Sequence, residues 1–266
     1  MKNILDEIIA VKQRQVEFEK ADTPVSEWEK QAFFTRPVIS LCDSLMNGDR
    51  TGIIAEFKRK SPSKGVINDR ASVESVTRGY ASYGASGLSV LTDKAFFGGD
   101  NDDLVKARTN SLPILRKDFI IDEYQLVQAR AIGADVVLLI AACLTPPRVK
   151  RYAAFAKKIG LEVLLEIHDE SELDHICDDV DMVGVNNRNL KTFEVDIHTS
   201  LKLINKIPTG KPAITESGIS NVETIVTLKQ AGFKGFLIGE NFMKSPDPTI
   251  AFADFVHELK AKVNEN

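Results

Sequence analysis

The stretch KIGLEVLLEI, residues 158–167, is where the fold can be read. A helical pattern stops at Gly160, a residue free to take the positive φ that closes a helix. A short polar link follows, and then the apolar run Val163–Leu165, which does not alternate with polar residues. Runs of that kind belong to strands buried on both faces, as in parallel sheets. YGASGLSVL (83–91), AIGADVVLLI (131–140) and QAGFKGFLIG (230–239) repeat the same order, at spacings near 24 residues or its multiples.

Further runs lie at Ile53–Phe57, Leu88–Leu91, Ile114–Leu115, Val136–Ile140, Met182–Val185, Ala213–Ile214 and Phe236–Ile238, which makes eight in all. Segments of roughly 10–18 residues with helical spacing separate them. Thr145-Pro146 reads as an N-cap followed by a first-turn proline, and Ser220-x-x-Glu223 as a capping box. Gly84, Gly133, Gly160 and Gly232 stand where helices should end. Eight strand–helix units predict an α/β protein, a (β/α)8 TIM barrel of about 250 residues. A doubly wound sheet fits less well, because the GxGxxG turn is missing. The expected organisation is one catalytic barrel domain over residues 1–266, with 1–48 as an N-terminal helical extension. In that extension Ile4, Leu5, Ile8, Ile9 and Val11 recur at helical spacing, while Ala21–Pro37 is polar and holds Trp28, read as a packing residue.

Among 266 residues, 34 Lys+Arg face 38 Asp+Glu, a formal charge of −4 that argues against a nucleic-acid partner. Cys42, Cys143 and Cys177 lack CxxC spacing and fit a reducing, cytoplasmic setting. The longest apolar run, Val136–Leu144, is too short for about 30 Å of hydrocarbon, and the N-terminus has no secretory apolar core. No membrane association is expected.

In a barrel of this type the chemistry sits at the C-terminal ends of the strands. The first run closes in Glu56-Phe57-Lys58, the third in Arg116-Lys117-Asp118 and the fifth in Glu166. The sixth closes in Asn186-Asn187-Arg188 and the seventh in Thr215-Glu216-Ser217-Gly218. Lysine and glutamate are seldom buried without partners, so their presence at several mouths points to acid–base chemistry. The four histidines lack metal-site spacing, and His168 reads as a loop or helix-start residue; no metal site is expected. No serine sits in a GxSxG elbow, which disfavours acyl transfer.

Two features point to an anionic substrate. Ser217-Gly218-Ile219-Ser220 and Ile238-Gly239-Glu240-Asn241 follow the last two runs, where such barrels hold phosphate on backbone N–H groups. The basic heptamer Lys58-Arg59-Lys60-Ser61-Pro62-Ser63-Lys64 leaves the first strand and reads as a substrate-anion site. A substrate carrying both carboxylate and phosphate would suit both.

Seven motifs in order, IIAEFKRKSPSKG (53–65), LTDKAFFGG (91–99), LRKDFIIDEYQL (115–126), LLEIHDE (164–170), VGVNNRNL (183–190), TESGI (215–219) and LIGENFM (237–243), closely resemble the indole-3-glycerol-phosphate synthase family of tryptophan biosynthesis. The resemblance implies closure of an indole ring: 1-(2-carboxyphenylamino)-1-deoxyribulose 5-phosphate gives indole-3-glycerol phosphate, CO2 and water. It implies Lys117 as general acid on the substrate carbonyl and Lys58 on the anthranilate carboxylate. Glu166 would act in the dehydration, with Glu56 and Glu216 positioning the amine and hydroxyls. Asn186 would bond substrate, Phe119 line the aromatic slot, and Arg188 support the site carboxylates. Ser61, Ser217, Gly218 and Gly239 would hold the phosphate. No cofactor is implied; the partner is a phosphorylated small-molecule substrate, and the protein is expected to be a monomer or weak homo-oligomer. Glu240 departs from the family's small hydroxyl residue, and it is expected to offer only its backbone N–H and to face away. Burial and Lys58 would lower the Lys117 pKa while Glu56 and Glu166 would raise it, a balance the residues alone leave open. Rival readings are a Schiff-base aldolase through Lys117, a phosphosugar isomerase on the same barrel, or a non-catalytic phosphometabolite-binding subunit.

Overall fold

Eight short strands carry the apolar runs, and each extends slightly beyond its run. They are β1 (Ile53–Phe57), β2 (Gly87–Leu91), β3 (Ile114–Lys117), β4 (Val136–Ile140), β5 (Glu162–Ile167), β6 (Met182–Asn186), β7 (Ala213–Glu216) and β8 (Gly235–Ile238). In the computed structural model, which describes residues 4–48 and 50–264, all eight pair in parallel with their sequence neighbours and β8 pairs with β1, closing a TIM barrel. Residues 1–3, 49, 265 and 266 of the expected 1–266 span lie outside the described residues.

Alternation explains why the runs look unbroken. Ile54, Leu115, Leu138, Leu164, Met182, Ile214 and Leu237 point into the barrel, while Ile53, Val90, Val137, Val163, Val183 and Phe236 point out against the helices. Pairing places Leu91 beside Lys117, Ile140 beside Glu166 and Asn186 beside Glu216. The uppermost inward layer therefore sets Lys117, Glu166, Asn186 and Glu216 among Leu91 and Ile140, and the layer beneath is apolar apart from Ser89.

Gly84, Gly133, Gly160 and Gly232 all have positive φ at helix ends. Proline does start the helix Pro146–Lys158, although Thr145 makes no side-chain capping bond. The expected Ser220/Glu223 box is not formed: the helix begins at Val222, and the Asn221 side chain accepts from Thr224 N, one residue later than the spacing suggested. Nor do eight α-helices follow the strands. After β5 comes a 3-10 turn, Glu170–His175, started by Asp169 accepting from Ser171 N. A short hairpin, Lys60–Ser61 with Gly65–Val66, stands over β1.

The N-terminal segment does more than cover the mouth. Helix α1 (Ile4–Asp22) brings Leu5 and Ile8 to the mouth, and α2 (Val25–Trp28) packs Trp28 on the outer core, where its indole N–H donates to Tyr124 Oη at 2.7 Å. Helix α3 (Leu41–Met46) crosses the opposite end, where Leu41 and Leu45 enter the barrel interior. Glu162, at the start of β5, holds α3 there by accepting from Ser40 Oγ at 2.5 Å and Leu41 N at 2.8 Å. Gly87 makes room for the plug, since a Cβ there would lie 2.7 Å from Leu41 Cδ1.

A buried charge fastens α1. Lys12, 1% exposed, places Nζ 2.9 Å from Asp93 and 2.8 Å from Asp118. Asp118 also accepts from Thr92 and Arg116, and Arg116 continues to Gln125 O and Gln128. Burial opposes charge on Lys12 and Asp118, but their mutual attraction prevails, raising the lysine pKa and lowering the aspartate's. Lys12→Met leaves two carboxylates without their cation, and about 3–5 kcal/mol of stability should be lost. Urea denaturation of the variant against wild type measures it.

Candidate active site

At the C-terminal ends of the strands lies a cavity of about 480 Å³, within the range of small-molecule sites. All twelve residues singled out from the sequence line it: Glu56, Lys58, Ser61, Lys117, Phe119, Glu166, Asn186, Arg188, Glu216, Ser217, Gly218 and Gly239. Strand ends supply the charges, and the loops that follow supply the hydroxyls and glycines.

Lys117 is the centre. Its Nζ is 2.8 Å from Glu166 Oε2 and 2.8 Å from Glu216 Oε2. Burial works against its charge, but Glu166, Glu216 and Glu56 outweigh burial and raise its pKa, which settles the open balance in favour of the carboxylates. The amine therefore stays protonated, which suits a proton donor and not an imine-forming nucleophile. Burial also raises Glu216, helped by repulsion from Glu166 and only partly offset by Lys117, to about 7. Glu166 goes the other way: despite burial, Lys117 and His168 hold it well below the usual carboxylate range. Lys58 Nζ sits 2.6 Å from Glu56 Oε1.

Asn186 Oδ1 accepts from Arg188 N at 3.0 Å, which leaves its amide N–H groups for the cavity. Asn187 ties the neighbouring loop down, donating to Thr215 Oγ1 and Ser217 O at 3.0 Å each. Ser217 (φ 69°) and Gly218 (φ 80°) are both left-handed. For serine that conformation costs energy, and the surrounding bonds hold it in place. Gly239 has a steric reason: a Cβ there would lie 2.4 Å from Glu56 Oε1. The apolar wall combines Phe119 and Phe97, with ring centroids 5.9 Å apart, with Leu91, Leu138, Leu5 and Ile8.

Several expectations need correction. Glu240 does not face away; it lines the cavity, 3.8 Å from both Lys64 Nζ and Arg188 Nη2. Arg188 thus reaches Glu240 rather than the strand-end carboxylates. Within the basic heptamer only Lys58 and Lys64 bring their charge to the cavity. Arg59 pairs with Asp103, and Lys60 donates to Ala95 O at 2.7 Å. His168 does lie in the loop after β5, as expected, and its Nε2 is also 3.1 Å from Glu166 Oε1. Among the described residues, no three His, Cys, Asp or Glu side chains converge as a metal site.

Residues 5–255 match the family described as indole-3-glycerol phosphate synthase. This chain belongs to that family. Its relatives include the indole-3-glycerol phosphate synthase of Bacteroides thetaiotaomicron, 46% identical over 98% of this chain and 100% of the relative. Another is that of Polaromonas naphthalenivorans, 41% identical over 97% and 100%. The chain is accordingly a carboxy-lyase of tryptophan biosynthesis that acts on a phosphorylated small molecule. Two solved structures of low identity show the same fold. Tryptophan synthase subunit alpha from Legionella pneumophila superposes with a TM-score of 0.61 at 13% identity, covering 85% of this chain and 97% of that one. Thiamine phosphate pyrophosphorylase from Pyrococcus furiosus does so with 0.59 at 16% identity, covering 85% and 98%.

A carboxyl with a folded pKa near 7 and an ordinary value of 4.5 binds a proton in the folded state that it loses on unfolding. The stability it contributes therefore falls as pH rises between those values and stays low above them. Glu216→Gln removes that penalty. Its melting temperature should exceed wild type by about 2–4 °C at pH ~8, and the gain should shrink near pH ~5. Calorimetry at the two pH values checks both.

Proposed function

We propose that the cavity closes the indole ring with its strand-end lysines and carboxylates, in one catalytic unit formed by the barrel and residues 1–48 together. The observation that carries this reading is Lys117 held between Glu166 and Glu216, with its Nζ 2.8 Å from each. The anthranilate ring of the substrate lies against Phe119 and the apolar wall, with its carboxylate on Lys58. The phosphate sits at the far side on the N–H groups of Ser217, Gly218 and Gly239, with Ser61 above.

When the carboxylate-bearing ring carbon attacks the ketone, a C–C bond forms and the carbonyl oxygen takes up the electron pair. The developing alkoxide is a stronger base than an amine, so proton transfer from Lys117 runs downhill although its carboxylates weaken it as an acid. The C–CO2 bond then breaks, its electrons return to the ring, and CO2 departs. In the last step the hydroxyl leaves as water with a proton from Lys58, and Glu166, held ionised, accepts the proton lost from the ring system. Glu56 keeps Lys58 in place, Glu216 and Asn186 orient the amine and hydroxyls, and Arg188 balances Glu240 near the phosphate. The chemistry draws on side chains alone.

Three half-buried, unpaired cysteines support placing the enzyme in the reducing cytoplasm. No helix among the described residues is long and apolar enough to cross a membrane. The assembly proposed is a monomer or weak homo-oligomer, which light scattering at varied concentration reads directly.

The decisive experiment mixes the protein with the anthranilate-ribulose phosphate and follows the rise of indole fluorescence without added cofactor. Lys117→Ala should fold and lose about 10²–10⁴-fold in kcat, and ordinary turnover would remove its role. Lys58→Ala should both raise KM and lower kcat; an unchanged KM with full activity rules out the carboxylate contact.

A further inference from the structure

We propose that His168 is a positioning residue that holds the Glu166 carboxylate from outside the cavity, through an ion-pair contact braced by Glu172. The inference rests on the reading that Glu166 takes part in the reaction.

The geometry starts on one extended stretch of chain. Residues two apart on a strand point the same way, so Glu166 near the end of β5 and His168 just beyond it lean toward the same side. Glu166 lines the cavity and His168 does not. The carboxylate is divided between them: Oε2 meets Lys117 at 2.8 Å, and Oε1 meets His168 Nε2 at 3.1 Å. On the other side of the imidazole, Nδ1 lies 3.3 Å from Glu172 Oε2, the same oxygen that accepts the His168 backbone N–H at 2.6 Å. The first turn after β5 thus clamps both ring and backbone.

Each ring nitrogen faces a carboxylate oxygen. A neutral imidazole would turn a lone pair toward one of those anions, whereas the imidazolium offers an N–H to both. Burial works against this charge, but the two carboxylates outweigh it and push the His168 pKa up to about 10. The ring is nearly buried, and its Nε2–H is not squarely aimed at Glu166, so the contact acts mainly by charge.

The consequence is an asymmetry between the two carboxylates that share Lys117. Glu166 has a second cation at its back, whereas among the described residues Glu216 meets no cation beyond Lys117, so the proton shared by the pair settles on Glu216. The titratable groups facing Glu166 are Lys117 from β3, Glu216 from β7, Cys143 from the turn after β4, and His168. Those facing His168 are Glu166, Glu172 and Asp169. Among the described residues that touch Glu166, His168 alone is a cation outside the cavity.

The test is the pH dependence of kcat and KM with the anthranilate-ribulose phosphate for His168→Phe, His168→Gln, Glu172→Gln and Glu166→Gln. The carboxylate pair titrates as a unit, and its acid limb in kcat should move up by about one pH unit in His168→Phe. Below the limb, kcat then falls about tenfold while KM changes by less than about twofold. His168→Gln, which keeps a donor without charge, should shift the limb less. The shift caused by Glu172→Gln should vanish in the His168→Phe background. A purely structural role would alter the melting temperature and leave the limb in place, and that result in folded His168→Phe overturns the proposal. If His168→Phe does not fold, unmoved limbs in both His168→Gln and Glu172→Gln overturn it equally. Full activity in Glu166→Gln removes the role of Glu166 itself, whereas an inactive Glu166→Gln with an unmoved limb in the His168 variants removes only that of His168.

Discussion

An ammonium group at the top of an apolar barrel is the constraint that organises the mouth. Beneath Lys117 the barrel interior is leucine, isoleucine and methionine, and a lone charge there would carry a large desolvation cost. Glu166 and Glu216 meet that cost from two different strands, and in doing so create the opposite problem. Glu56, Glu166 and Glu216 are three carboxylates against the two lysines, Lys58 and Lys117. Two devices restore the balance: a proton on Glu216 below its pKa of about 7, and the His168 imidazolium behind Glu166. The ordering of pKa values across the site follows from charge counting inside a small buried volume.

That arrangement needs a rigid frame. Asp118 follows Lys117 directly and belongs to the buried network of Lys12, Arg116 and Thr92. The Asp118 carboxylate also accepts the backbone N–H of Phe119 at 2.8 Å, so the acid and the aromatic wall are set by one aspartate. Glycines finish the job by absence: Gly239 leaves the volume that Glu56 occupies.

The barrel was readable because parallel strands bury both faces, so every strand appears as an apolar run whose polar terminus marks the mouth. The site residues were readable for the same reason, since Lys117, Glu166 and Glu216 each interrupt hydrophobic sequence where a charge is out of place. Other features leave no such mark. Lys12 looks like any lysine on an amphipathic helix, and only the distant Asp93 and Asp118 make it a buried cation. Leu41 and Leu45 form too short a pattern to announce a barrel plug. His168 owes its charge to Glu166 and to Glu172, which reaches back from a 3-10 turn where the pattern of eight strand–helix units leads one to expect a regular helix. Asn221 caps a helix that Ser220 and Glu223 seemed to start, because the two candidates differ by a single residue. What was missed depends on long-range contacts or on one-residue offsets, and neither has a local periodic signal.

The N-terminal segment has a consequence for the order of assembly. Ser40 meets a partner 122 residues later in Glu162, and Lys12 waits for Asp118. On a ribosome this segment is therefore made long before its partners. Their floor plug can seat only once β5 has emerged and the barrel has a floor to fill. Contacts of such long sequence separation pay their loop-closure entropy before they gain anything, and they form slowly. Until then Leu41, Leu45, Leu5 and Ile8 remain in water, and the nascent chain carries an unclaimed apolar segment through most of its synthesis.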